Sequence, residues 1–522
     1  MRPAQNSKNI PFIVVGISIY MDREEKQSLG LELEMETKKV HVLVFPFPGH
    51  GHMIPLLDLA HILATRGLAV TVFTTTENQA LLRPLLTTAS SQGLHIQSLI
   101  LPLPPTQGLP PHCENLAQLP LHLVPLFMYS FKHFADPLEQ WILHQRSSDG
   151  FGPPLCIISD FFLGWTQDLA AKLGIRRVVF YPSGAFAVSV VSSLWKHMPH
   201  HGVESDDGEV CIPELPHPVT FPKSKISPLA RMYKPSDPIS EFIRHGFNLN
   251  VKSWGSIINT FDGLEALYID HLQKLSGSPV WSVGPLLPPV VFQGTPNLER
   301  GNPNAIKESA CLQWLDSRQR RSVLYICFGS IAVLSNRQIE DVAAGLEASE
   351  ESFIWVIKDH PYSRISDDNV AHEYGGVLPP GFEERTKERG LVIRGWAPQL
   401  LILSHSSVGG FVTHCGWNSC LESIALGVPL IAWPMGADQY SDALLLVDYL
   451  KVGVRLCEGP AAMPSRDDLK RAVKKVTAAE AEESKRAEEL SSAARMAVEA
   501  GGSSWKNLEA LVTEIKKLTP IH

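Results

Sequence analysis

The chain has 522 residues, 44% of them apolar and 19% charged, and carries a net charge of −8. At about 150 residues per domain that length allows two to four domains, and the composition is that of a folded chain, not a disordered one. The acidic balance excludes the basic footprint of a non-specific nucleic-acid binder and gives no reason to expect an anionic-membrane anchor.

Near the start, Ile10–Tyr20 is apolar and follows Arg2 and Lys8, but it contains Pro11, lacks a small-x-small cleavage site and runs into Met21-Asp22-Arg23. Residues 1–38 are therefore read as a disordered extension rather than a signal peptide, with Met21 and Met35 as alternative starts. No apolar run reaches the ~18–20 residues of a membrane span. Periodic pattern begins at Lys39. Val40–Phe45 reads as a buried strand. Met53–Arg66 reads as a helix with Pro55 in its first turn, a stripe of Leu56, Leu59, Ala60 and Leu63, and Gly67 as its stop. Leu68–Thr75 is strand, as are Leu155–Ser159 and Arg177–Tyr181, with a helix over 163–173 between the last two. Residues 200–240 hold seven prolines and little periodicity, and read as a surface excursion. The pattern resumes at 253–261 and 280–287, and 288–304, rich in Pro, Gly and Asn, reads as a linker.

The second half repeats the architecture. Its strands are Ser322–Phe328, Phe353–Lys358, Leu391–Arg394, Val408–Thr413, Leu430–Trp433 and Val452–Leu456. Helices fall at Arg337–Ala348, Ser419–Leu426 and Tyr440–Leu450, and charged helix runs from Arg466 with a break at Gly501-Gly502. Strand–helix alternation predicts an α/β fold: two doubly wound Rossmann-like domains, 39–287 and 305–500, facing across a cleft, with a C-terminal helix in 501–522 returning to the first. Ligands in such folds bind beyond the C-terminal ends of the strands. The eight cysteines, none in a C-x-x-C pair, suit a reducing, cytoplasmic setting and offer no zinc-ligand set.

Residues 396–439 form the densest motif: WAPQLLILSHSSVGGFVTHCGWNSCLESIALGVPLIAWPMGADQ. A strand ends at Thr413, His414-Cys415-Gly416 makes a tight turn, and Asn418 and Ser419 open a helix. Free N–H groups and the positive end of the helix dipole there suit a diphosphate, with His414 as a further donor. Trp396 can stack on a flat base, Glu422 can accept from ribose hydroxyls, and Asp438-Gln439 closes the next strand–helix turn on the same side. In the first half, His52 follows strand one and Asp160 ends the LCIIS strand, so both face the cleft. By itself Asp160 between strand and helix is a helix cap. The Pro-Gly-His-Gly-His turn superficially suggests a dinucleotide-binding oxidoreductase, but the third glycine of G-x-G-x-x-G is absent.

The 44-residue segment resembles, without a gap, the signature box of plant secondary-product UDP-dependent glycosyltransferases (glycosyltransferase family 1, GT-B fold). The resemblance runs from about 39 to 515 and includes FPFPGHGHMIP, SDFFLGW at 159–165 and VLYICFGS at 323–330, in the manner of the flavonoid and phenolic glucosyltransferase branch. It implies that Trp396 stacks on uracil and the Ala397 backbone pairs with its edge. Gln399 and Glu422 would hold the ribose. His414, Asn418, Ser419 and Ser330 would bind the diphosphate, and Trp417, Asp438 and Gln439 the donor sugar. His52 would be the general base and Asp160 its orienter. His50 departs from the branch and places a second imidazole beside the base. The implied reaction is inverting transfer of a sugar, glucose first, from a UDP-sugar to a hydroxyl of a small phenolic acceptor such as a flavonoid. UDP-xylose, UDP-rhamnose or UDP-galactose as donor, or a simple phenolic acid as acceptor, remain alternatives, and an inert UDP-sugar-binding protein is a remote one. No cofactor and no metal are expected, since no D-x-D motif lies near the box; a monomer is expected. Phe161, Phe162, Trp195 and the 223–235 stretch are candidates for the acceptor wall.

Overall fold

The structure is a computed structural model and describes residues 39–145, 151–293, 300–358, 376–478 and 480–519. The expected N-terminal extension, part of the linker and residues 520–522 lie outside these.

Near-continuous apolar runs make strands that are buried on both faces, the mark of parallel sheets covered by helices. In the first half, β1 (His41–Phe45), α1 (His50–Thr65), β2 (Ala69–Thr74), β3 (Ile96–Ile100), β4 (Cys156–Asp160), α2 (Thr166–Leu173), β5 (Arg176–Tyr181) and α3 (Ala185–His197) follow in turn. A hairpin of β6 (Glu209–Ile212) and β7 (Val219–Pro222), then α4 (Pro238–Asn250), β8 (Gly255–Ile258), α5 (Asp262–Ser276) and β9 (Val280–Ser282), complete it. Seven parallel strands lie in the order β3-β2-β1-β4-β5-β8-β9.

The second half holds β10 (Val323–Cys327), α6 (Asn336–Ser349), β11 (Ser352–Ile357), β12 (Gly390–Arg394), β13 (Val408–Thr413), α7 (Trp417–Ala425), β14 (Leu430–Ala432), β15 (Gly453–Arg455), α8 (Arg466–Thr477) and α9 (Glu482–Val498). Its six parallel strands run β12-β11-β10-β13-β14-β15. The order reverses between β1 and β4 in one sheet and between β10 and β13 in the other. These two switch points are where a doubly wound sheet opens a crevice at its C-terminal edge. The last helix, α10 (Ser503–Lys516), buries Leu508, Leu511, Val512 and Ile515 in the same core as Val42, Val70 and Leu56 of the first half. Arg66 Nε donates to Glu509 at 2.8 Å on that contact.

Two expectations are corrected. Residues 200–240 are not a surface excursion. Val210, Ile212, Val219, Phe221, Ile226, Ala230 and Tyr233 are all buried in the main core, because the hairpin alternates apolar and polar residues despite its prolines. Helix α1 begins at His50, not Met53, with extended Gly49 as its N-cap residue, so His52 lies in the first turn of a helix and not in a loop. Pro55 sits inside that helix. Lacking an N–H, it leaves the Gly51 carbonyl four residues back without its helical donor. Asn418 Nδ2 donates to that carbonyl at 2.7 Å from the other half of the molecule.

Candidate active site

The C-terminal edges of the two sheets face each other, and the loops leaving β1, β10 and β13 enclose a cavity of about 260 Å³. Ser330, Trp396, Ala397, Gln399, His414, Trp417, Asn418, Ser419, Glu422, Asp438, Gln439 and His52 all line it. Residues expected to act together are therefore brought together from both halves, although several of them are already committed to other partners.

His52 sits in the first turn of α1, which follows β1, and Asp160 ends β4; β1 and β4 flank the first switch point. His52 Nδ1 and Asp160 Oδ2 are 2.8 Å apart; Asp160 is fully buried and the His52 side chain is 17% exposed. Asp160 Oδ1 accepts from Phe162 N at 2.9 Å, so the carboxylate caps the following helical turn as well as holding the imidazole. Burial pulls the His52 pKa down, but the charge and hydrogen bond of Asp160, with Asp438 further off, leave it raised above 6.5. Behind this pair the buried Arg177 donates to Ser159 Oγ at 2.9 Å and to Asn250 and Ser253 at 2.9 and 2.8 Å. Phe161 stacks on the His52 ring with centroids 5.8 Å apart, and Phe162 approaches to 4.8 Å. None of Phe161, Phe162 and Trp195 lines this cavity, and Trp195 lies furthest from His52. It is buried and stacks on Phe247 at 4.6 Å, one layer behind Phe161 and Phe162. The 223–235 stretch likewise sends Ile226, Ala230 and Tyr233 into the core.

On the opposite wall the N-terminus of α7 points into the cavity after the Cys415 turn, whose φ of 65° is uncommon for a residue with a Cβ. His414 is held between Gly329 and Gly416: a Cβ at either would stand 2.4–2.5 Å from its ring. Burial, with help from Lys358, drives its pKa down to about 3, so it is a neutral imidazole. Lys358 lines the same cavity, directly after β11, with Nζ donating to the Gly329 carbonyl and lying 5.9 Å from the centre of the Trp396 ring. Gln399 Nε2 donates to Glu422 Oε2 at 2.8 Å and to Ser419 Oγ at 3.2 Å. Arg300 also pairs with Glu422 and, at 2.6 Å, with Asp58 on α1. Its carbonyl accepts from Trp396 Nε1 at 3.2 Å.

Three expected donor-sugar residues are occupied in part. The Trp417 indole is buried, with Nε1 donating to Asn259 O at 2.7 Å, so the ring ties the halves together and only the helix N-terminus there is free for a ligand. Asp438 Oδ2 accepts from Ser183 Oγ at 2.5 Å. Gln439 Oε1 accepts from Met435 N and Gly436 N at 2.9 and 3.0 Å, leaving its NH₂ for a ligand. Arg300, Lys358, Ser183 and Arg177 were not singled out from the sequence. Lys358 had a signal, since it ends a strand at the ligand-binding edge as Asp160 does. Arg300 had none, being a lone arginine in a linker. Among the described residues no cluster of His, Cys, Asp and Glu is grouped to hold a metal, and no helix is long and apolar enough to cross a membrane.

Comparison with known proteins bears on this geometry. Residues 38–211 match the family described as glycosyltransferase, N-terminal domain, and residues 242–492 the family described as UDP-glucoronosyl and UDP-glucosyl transferase. The chain is 44% identical to UDP-glycosyltransferase 89B2 of Stevia rebaudiana, over 89% of this chain and 95% of that one. It is 42% identical to the flavonol 3-O-glucosyltransferase UGT89B1 of Arabidopsis thaliana, over 90% and 94%. The crystal structure of Arabidopsis thaliana UGT89C1 complexed with UDP-L-rhamnose superposes with a TM-score of 0.73 at 34% identity, covering 92% of this chain and all of that one.

Proposed function

The chain belongs to the plant UDP-glycosyltransferases with the GT-B fold, and we propose that it transfers glucose from UDP-glucose to a hydroxyl of a small phenolic acceptor, a flavonoid first among them, with inversion to a β-O-glycoside. The observation that carries this reading is that His52, held from behind by buried Asp160, stands in the wall of the same cavity as Trp396, His414, Ser419 and Gln439. A relative 42% identical is a flavonol 3-O-glucosyltransferase, which supports the acceptor and donor classes.

In this reading the acceptor oxygen attacks C1 of the sugar from the His52 side as the bond from C1 to the phosphate oxygen breaks and UDP leaves. Asp160 occupies Nδ1, so Nε2 takes the acceptor's proton. A phenol near pKa ~10 and an imidazole near ~6.5 are mismatched in the ground state, so proton transfer accompanies attack. The raised pKa of His52 narrows that gap. Charge growing on UDP is met by the N-termini of α1 and α7, by Ser330 and by Lys358. His414, buried and neutral, contributes a hydrogen bond and no charge. Phe161 and Phe162, tilted 53° to one another beside His52, supply apolar surface next to the base for an aromatic acceptor. The superposed UGT89C1 structure holds UDP-L-rhamnose, which makes UDP-rhamnose the competing donor to test. Incubating the purified protein with UDP-glucose, UDP-rhamnose, UDP-xylose and UDP-galactose against flavonols and phenolic acids, and following UDP release and product mass, tests both halves. No transfer from any donor to any acceptor, with UDP still bound, would reduce the protein to a UDP-sugar-binding module.

A further inference from the structure

His50 is the first residue of α1 and is only 9% exposed, yet neither ring nitrogen has a hydrogen-bond partner. Buried polar side-chain groups are nearly always paired, and an unpaired one calls for an explanation. The ring lines the cavity and lies 5.0 Å from the Trp396 ring at a tilt of 38°. Asn302 of the connecting segment is a polar neighbour that pulls the His50 pKa up, and Lys358 faces the ring across the cavity and pulls it down. Arg300, Tyr325, Cys327, His414, Glu422 and Asp438 line the same cavity. The helix end that carries His50 is tied to the N-terminus of α7 through Gly51 and Asn418.

We propose that His50 is a nucleotide-binding residue, donating a hydrogen bond from its imidazole to an oxygen of UDP at the junction of ribose and α-phosphate. The inference rests on reading the cavity as the UDP-sugar site. The nucleotide must run from Trp396 to the N-terminus of α7, and His50 stands beside Trp396 on the opposite wall of that path. A hydrogen bond to the nucleotide would account for a buried ring whose nitrogens have no partner in the protein. Burial lowers the His50 pKa by more than Asn302 raises it, and Lys358 lowers it further, so the ring is neutral and presents one N–H donor there. It is a donor-side residue from the acceptor half, and it does not compete with His52 for the acceptor's proton.

The test is calorimetric titration of the full chain with UDP and with uridine, on wild type, His50→Leu and His50→Gln, together with KM for UDP-glucose and thermal melts. His50→Leu is expected to weaken UDP about tenfold, with the loss falling on KM, and His50→Gln, which keeps an N–H donor, to recover most of it. Removal of two unpaired nitrogens should not lower Tm, whereas a purely structural role would. A loss for UDP but not uridine assigns the contact to phosphate, and an equal loss for both assigns it to the nucleoside. Unchanged affinity for both ligands in His50→Leu overturns the proposal. Failure of the wild-type protein to bind UDP would instead overturn the reading of the cavity, and this inference with it.

Discussion

Asp160→Asn separates the two tasks of one carboxylate. Asp160 Oδ2 faces His52 Nδ1 at 2.8 Å and Oδ1 accepts from Phe162 N at 2.9 Å, so both oxygens act as acceptors. An amide has one oxygen and one NH₂ and cannot meet both. If its oxygen stays on Phe162, the NH₂ faces Nδ1 and forces the proton onto Nε2, which disables the base. If the oxygen turns to His52, the NH₂ opposes the Phe162 N–H, leaving a buried donor unpaired at about 1–3 kcal/mol. The imidazolium formed in the reaction also loses its counter-charge. We expect kcat/KM to fall ~10²–10⁴-fold, about 3–5.5 kcal/mol of transition-state stabilisation. The base must be neutral, so the wild-type rate should climb with pH through a His52 pKa raised above 6.5 and then level off. Without the attracting charge the acid limb of Asp160→Asn should move to lower pH. The stability sign is the reverse. A raised histidine pKa stabilises the fold below the unfolded value near 6.5, and that gain is lost as pH rises through the folded pKa. The Tm deficit of Asp160→Asn should therefore be larger at about pH 5.5 than at about pH 9. Stopped assays of UDP release across pH, paired with melts, measure both effects. A variant within about threefold of wild type, with an unshifted acid limb, would refute the orienting role and leave Asp160 only its cap, worth ~1 kcal/mol.

His52→Ala should lower turnover ~10²–10⁴-fold while UDP affinity by calorimetry stays near wild type; near-normal turnover would sink the base assignment. Arg300→Met should lower stability by about 3–5 kcal/mol in a melt, because it leaves Asp58 and Glu422 facing each other without their cation; an unchanged Tm would show that the three-way contact contributes nothing. EDTA should leave activity intact, and strict dependence on added Mg²⁺ would overturn charge neutralisation by Lys358, Ser330 and two helix ends. UDP-glucose should exceed UDP-galactose at least about tenfold in kcat/KM, which needs only ~1.4 kcal/mol, and Gln439→His should erode that ratio; a preference for another donor would mean that Gln439 does not set the choice.

The site was legible where chemistry and chain order coincide. Residues 408–439 carry their own strand, turn and helix start, so the anion-facing end of α7 could be read from local spacing alone. His52 and Asp160 could be placed at the cleft because one follows a buried strand and the other ends one, but their pairing came only from the family resemblance. Reading failed where a local cue met a tertiary counterpart. Pro55 reads as a first-turn proline, yet α1 starts five residues earlier because Asn418 satisfies the carbonyl that Pro55 frees. The prolines of 200–240 outweighed a period-two alternation in Val210, Ile212, Val219 and Phe221 that was present to be seen. Trp195 has the size of an acceptor-wall residue, but which layer of an aromatic stack a helix side chain occupies depends on Phe247, far along the chain. Arg300 needed the two halves docked before its carboxylates existed as partners.

That docking explains why so few donor-site groups are idle. Asn418 holds Gly51, Trp417 holds Asn259, Asp438 holds Ser183, and Arg300 spans Asp58 and Glu422. Each tie joins a residue of the donor cavity to the acceptor half. Without ligand these polar groups are satisfied across the cleft, as buried groups must be. A UDP-sugar that takes Glu422 through its ribose or Asp438 through its sugar must replace such a tie with a hydrogen bond of its own. The net gain from those contacts is then the difference between two hydrogen bonds and is small. Groups that begin unpaired, the helix N-termini and the His50 ring, gain the full amount. Affinity for the nucleotide should therefore come from the diphosphate end and from His50. Of the exchanged ties, the one at Glu422 is common to every UDP-sugar, and only the one at Asp438 differs with the sugar.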